Sequence, residues 1–167
     1  MFSEVKESLV ANKAKKSKPT PKDADLILKL YDLRREPTMR KARDFMAQFW
    51  PQSYEEFKAV VFAFGSEQNA WLRQVWSFWD MAAVMVLSGT LHEDLFFKTN
   101  GEPYFYYAKF KPFLEQIRKD IGNPEFMAHI EELANKSPEA RERVKRLEAR
   151  IKAHAAQMAA AAKARVS

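Results

Sequence analysis

The 167-residue sequence predicts an all-α fold: an irregular multi-helix bundle with a central aromatic-rich helix and a long C-terminal helix. Three observations predict it. First, no run of alternating apolar and polar residues is bounded by hairpin turns, so strand signals are missing. Second, the chain has only four glycines, and each follows a helix-like run. Glycine adopts the left-handed conformation at a helix end without a Cβ penalty. Third, Thr20-Pro21, Asn123-Pro124 and Ser137-Pro138 each read as an N-cap followed by proline at the first helical position.

The elements follow in chain order, with three segments of organisation. Residues 1–20 read as a basic N-terminal helix, over residues 3–15, and a linker. Residues 21–136 read as the helical core domain. Its helices are placed at residues 21–35 and 37–50, with Pro51-Gln52 as a break. Others are placed at 54–64 and 67–88, where Ser53 with Glu56 fits the capping-box spacing. A short helix at 91–98 is given Thr90 and Glu93 as its capping box. A helix at 103–121 contains Pro112, which removes one backbone hydrogen bond and predicts a kink or a split. A helix at 124–135 completes the core. Residues 137–167 read as a long basic, alanine-rich helix.

Two of these helices are unusual. The one at 67–88 carries Trp71, Leu72, Val75, Trp76, Phe78, Trp79, Ala82, Ala83 and Val86 around most of its circumference. A helix apolar nearly all round is surrounded by other helices, which places it at the centre. It also carries Arg73 and Asp80, which argues against a bilayer span. The last helix would run about 42 Å at roughly 1.5 Å per residue, long enough to cross the domain or protrude. Its apolar stripe is thin: Val144, Leu147, Ile151 and Met158. Beyond Ile151 the residues are mostly alanine, which favours helix but buries little surface.

Composition excludes several classes of chemistry. The chain has no cysteine, so disulfides, thiolate metal sites and a cysteine nucleophile are ruled out. The start, Met1-Phe2-Ser3-Glu4, opens a polar segment that does not read as a secretion signal, and a cytoplasmic location is expected. The net charge is +6, and its placement is uneven. Residues 1–20 hold five lysines against two acids, and residues 137–167 hold eight bases against three acids. The segment between them is nearly balanced. Glycine-rich phosphate loops, the dinucleotide fingerprint and the nucleophile elbow are all absent. No cofactor or metal is expected, and the balance leans away from an enzyme.

Four constellations are candidates for function. His92-Glu93-Asp94 lacks the second histidine that a zinc-peptidase helix needs four residues on, since position 96 is Phe. Its acids read instead as partners of a helix N-terminal dipole. Arg73, Ser77 and Asp80 share a helix face, either as a polar pocket or as a solvated stripe. Tyr104 to Tyr107, Lys109, Phe110, Lys111 and Phe113 interleave rings with cations, as single-stranded nucleic-acid binders do. Read as a helix, Tyr106, Phe110, Phe113 and Ile117 form one core-facing stripe. Arg34, Arg35, Arg40, Lys41 and Arg43 form a candidate anion patch, with Asp32, Glu36 and Asp44 available for local ion pairing.

Four stretches carry a resemblance. They are Pro37-Thr38-Met39-Arg40-Lys41-Ala42-Arg43, Phe78-Trp79-Asp80-Met81-Ala82, Gly89-Thr90-Leu91-His92-Glu93-Asp94-Leu95, and Phe113-Leu114-Glu115-Gln116-Ile117-Arg118. Through them the centre of the chain resembles a bacterial domain family of unknown function, made of small helical proteins often preceded by a membrane anchor. On that reading the chain departs from the family by carrying no anchor and by having His92 where an acidic residue is expected. The resemblance implies a helical fold and no activity.

The leading functional expectation is a non-enzymatic interaction or assembly module. Its C-terminal helix would meet a protein partner or a second copy through Val144, Leu147, Ile151 and Met158. The alternatives are nucleic-acid association through the basic ends, and a small-molecule enzyme or binder with a pocket near Arg73 and Asp80.

Overall fold

A computed structural model describes residues 18–164; the helix expected over residues 3–15 lies outside them. The described residues form eight α-helices and no strand. They are α1 (Pro21–Arg35), α2 (Pro37–Gln48), α3 (Tyr54–Phe62), α4 (Glu67–Leu87), α5 (Glu93–Thr99), α6 (Glu102–Ile121), α7 (Ala128–Asn135) and α8 (Pro138–Ala164).

Local capping explains most of the boundaries. Thr20 and Asp23 form a reciprocal capping box at α1: the Thr20 hydroxyl accepts from the Asp23 amide, and the Asp23 carboxylate accepts from the Thr20 amide at 2.7 Å. Ser53 caps α3 by accepting from the Glu56 amide, and Ser137 accepts from the Ala140 amide at the start of α8. Helix α3 stops at Phe62, two residues early. The Asn69 amide, buried at the start of α4, donates to the Val60 and Val61 carbonyls and so takes up the end of α3. Gly65, at φ +87°, then turns the chain into α4.

Three expected boundaries are corrected by the local hydrogen bonds and backbone angles. Thr90 does not cap α5. Leu91 is fully buried with its amide bonded to the Met85 carbonyl, and His92 is the cap, its Nδ1 accepting from the Leu95 amide. Asn123-Pro124 does not start α7. Asn123 closes a turn onto the Glu125 amide, and the helix begins at Ala128 after Met127 adopts φ +56°. Gly101 does not end a helix in the left-handed region; it sits at φ −97° as the cap of α6. Helix α6 runs unbroken through Pro112.

Two helices organise the packing. Helix α4 contacts α2, α3, α5 and α7, and α6 contacts α3, α7 and α8. Helices α3 and α7 therefore touch both and join the two halves. The aromatic core runs through them: Trp79, Phe57, Phe96 and Phe110 are fully buried, and Phe57 stacks between Phe110 and Phe113. Helix α1 lies at the edge, against α2 and α5.

Candidate functional site

The expected anion patch divides. Arg34 and Arg43 turn inward and converge on Glu102, in the first turn of α6. The Arg43 Nε donates to both Glu102 oxygens at 3.0 and 3.1 Å. Trp79 donates its indole N–H to the same carboxylate at 3.2 Å, and the Arg34 guanidinium lies over the Trp79 ring. Arg34 also reaches Asn100. The Glu102 carboxylate beside Arg43 raises the arginine's pKa above its ordinary value. Glu102 thus ties α1, α2 and α4 to α6. Arg35, Arg40 and Lys41 remain exposed, with Arg35 donating to the Tyr31 hydroxyl and Arg40 to the Arg35 carbonyl.

The stripe on α4 divides as well. Arg73 and Ser77 face solvent in an open shallow depression, and Asp80 is not part of it. Two helical turns, roughly 11 Å, separate Arg73 from Asp80, and α7 approaches only the Asp80 end. There Asp80 accepts from the His129 ring at 2.8 Å and from the Ile130 amide at 3.4 Å. Helix α7 has no side-chain cap of its own, so Asp80 serves as its N-cap from across the core. The Asp80 carboxylate holds the His129 pKa above its ordinary value.

Lys109 is buried, at 5% exposure, in a cage of aromatic rings. Its amine sits 4.2 Å from the Trp50 ring centre and 5.5 and 5.6 Å from those of Phe110 and Phe105. It donates to the Met46 carbonyl at 2.8 Å, in the last turn of α2. Trp50 takes the next carbonyl, Ala47, through its indole N–H. Burial pushes the Lys109 amine down to about 7, against the pull of rings and carbonyl toward the charged form.

Helix α8 changes character along its length. Ala140 and Val144 are buried against α6 and α7, so Val144 belongs to the core and not to an exposed surface. Leu147 and Ile151 are partly buried on the same line. Met158 continues that line at 53% exposure. Residues 156–161 are exposed on every side of the helix. A groove follows the base of this helix in two hollows that share Leu147 and Arg150. One, of about 330 Å³, is lined by Gly101, Arg143, Arg146, Leu147 and Arg150. The other, of about 260 Å³, is lined by Trp50, Phe105, Leu147, Arg150, Ile151 and His154, whose ring lies 4.2 Å from that of Trp50.

Periodicity places Lys109 on the face that carries Tyr106 and Phe113, so its burial had a signal in the sequence. Glu102 and His129 had none, because their partners lie 23 to 68 residues away in the chain. Among the described residues, no group of histidines and acids is placed to hold a metal ion, and no helix is long and apolar enough to cross a membrane.

A family described as a domain of unknown function, DUF4760, matches residues 19–137, and the chain belongs to it. The match covers α1 to α7 and stops at Ser137, immediately before α8. Neither the curated proteins nor the solved structures contain a match.

Proposed function

We propose that this chain is a non-enzymatic helical interaction module whose exposed turns of α8, over residues 156–161, are the contact element. One observation carries the reading: residues 156–161 stay helical while exposed on every side. An isolated helix of that length is marginal in water, so a segment of this kind gains most from being covered. The line from Val144 through Leu147 and Ile151, which packs on the core, continues as Met158 beyond it. The occupant is an apolar groove with an acidic rim on a partner protein. Charge supports this choice, because no acid follows Glu148 while Arg150, Lys152 and Lys163 do. Area supports it too. Two alanine-rich ends about 20 Å long, laid together, fall short of the roughly 1,200 Å² that a stable pair of proteins buries.

The test replaces Met158 with a photo-cross-linking residue in the protein's own cells, with exposed Leu28 as a control position. A discrete adduct from position 158 only, lost when Lys152 is changed to Glu, is the expected result. Light scattering should show a monomer for the full chain and for a chain ending at Ile151. The absence of an adduct at 158, the same adducts from position 28, or a full-length oligomer that truncation dissolves would each overturn the reading.

A further inference from the structure

We infer that the groove along the base of α8 binds a phosphate joined to a flat aromatic ring, the chemistry of a nucleotide. This rests on residues 143–154 and is independent of the projecting turns beyond them.

The two hollows differ in chemistry, and their order matters. The hollow beside Gly101 is lined by three arginines, Arg143, Arg146 and Arg150, spaced three and four residues apart on one face of α8. No acid lines either hollow. Arg143 is held in place: it donates to the Phe97 carbonyl at 2.6 Å and lies over the Phe97 ring. The other two are available. Among the described residues, Arg150 makes no side-chain ion pair, hydrogen bond or ring contact. Arg146 pairs there with Glu142, one turn back and at 3.7 Å, an exposed pair of little strength. A fixed cation beside two uncommitted guanidinium forks suits a phosphate, which guanidinium binds bidentately.

The second hollow supplies what a phosphate site alone does not need. Trp50 and Phe105 meet edge to face there, and the His154 ring lies tilted on Trp50 at 49°. Flat ligands stack on such rings whatever the base they carry. Lys109 and His154 already cover Trp50, so a flat ligand would lie on the outer side of His154, and Arg150, which lines both hollows, puts its phosphate within reach of the arginines. An acidic peptide would use the arginines and gain nothing from the rings beside them.

The same chemistry reaches the groove from two sources, a free nucleotide or a nucleotide within a single strand. Calorimetry at low salt on the full chain separates them, using AMP and a short single-stranded oligothymidylate as probes. Binding of at least one is expected. A tighter strand assigns the groove to single-stranded nucleic acid, and equal or tighter AMP assigns it to free nucleotide. The double variant Arg146→Glu, Arg150→Glu should weaken that binding by roughly tenfold or more, and flatten the salt dependence of the strand by about 1.4 in log–log slope. The same charge change at Arg40 and Lys41 on α2 should leave it unchanged. Where AMP binds, it should bind at least several-fold more tightly than ribose 5-phosphate, and the strand should bind more tightly than an abasic strand of the same length. Failure of both probes to bind overturns the inference. So does wild-type affinity in the Arg146, Arg150 variant, an equal loss in the Arg40, Lys41 variant, or equal binding of AMP and ribose 5-phosphate.

Discussion

Lys109 shows how one residue's surroundings set a property of the whole protein. Among the described residues its amine meets no carboxylate; its neighbours are rings and the Met46 carbonyl. The neutral amine keeps that hydrogen bond and gives up only the attraction of the rings for a cation. With its pKa brought down to about 7 from an ordinary value of 10.5, the folded chain sheds a proton that the unfolded chain keeps until higher pH. Stability must therefore rise as pH rises through that window. Buried Tyr104 and Tyr106 have raised pKa values, and they reverse the trend once unfolded tyrosines ionise, near pH ~10. Urea unfolding between pH 7 and 9.5 should show a gain on the order of a few kcal/mol in the native chain and little in Lys109→Met. Equal slopes in the two proteins would mean that Lys109 keeps its proton in the fold. Glu102 poses the complementary case. It has two arginines and an indole N–H around it, and removing it would leave Arg34 and Arg43 half-buried without their partner.

Elements begin and end where their terminal groups find partners, near in the chain or far. Helices α1, α3 and α8 use caps within three residues, and their starts were legible from Thr20, Ser53 and Ser137. Helix α7 uses Asp80, 50 residues away, and no local pattern announces that. Glycines divide in the same way. Gly122 ends α6 at φ +65°, a conformation that penalises any Cβ, whereas Gly101 is at φ −97°. Neither has an atom within 4 Å of where a Cβ would stand, so crowding plays no part. Gly122→Ala should lower stability by about 1 kcal/mol, and Gly101→Ala should change it by less than half of that. Equal melting temperatures for the two variants would contradict this account.

At the scale of the whole molecule, two centres share the core where one was expected. Helix α4 gathers α2, α3, α5 and α7, and α6 gathers α3, α7 and α8. The part of α8 down to His154, whose ring meets Trp50, therefore belongs to the packed body, and residues 156–161 do not. Only that part should matter for stability. A chain ending at Ala155 should melt within about 2 °C of the full chain, because the exposed residues beyond it bury almost nothing. A chain ending at Ser137 would expose the α6 and α7 surfaces that Ala140 and Val144 cover, and should melt well below it. Calorimetric scans of the three chains decide it; a large loss on the first truncation would place residues 156–161 in the body.

The sequence by itself determined the helices. Apolar residues recurring at helical spacing, caps beside prolines and the lack of strand patterns act within a few residues, so they can be read from the chain alone. It also marked α8 as long, basic and thinly apolar. Tertiary structure alone decided which charges are spent and which are free. Arg34, Arg43 and Asp80 looked like a site because their partners, Glu102 and His129, are distant in sequence. Nothing in the sequence sets Arg146 and Arg150 apart from the other bases of α8, and their groove exists only where α8 lies against Trp50 and Phe105. Hydrogen bonds and ion pairs act through space over a few ångströms, whatever the separation along the chain.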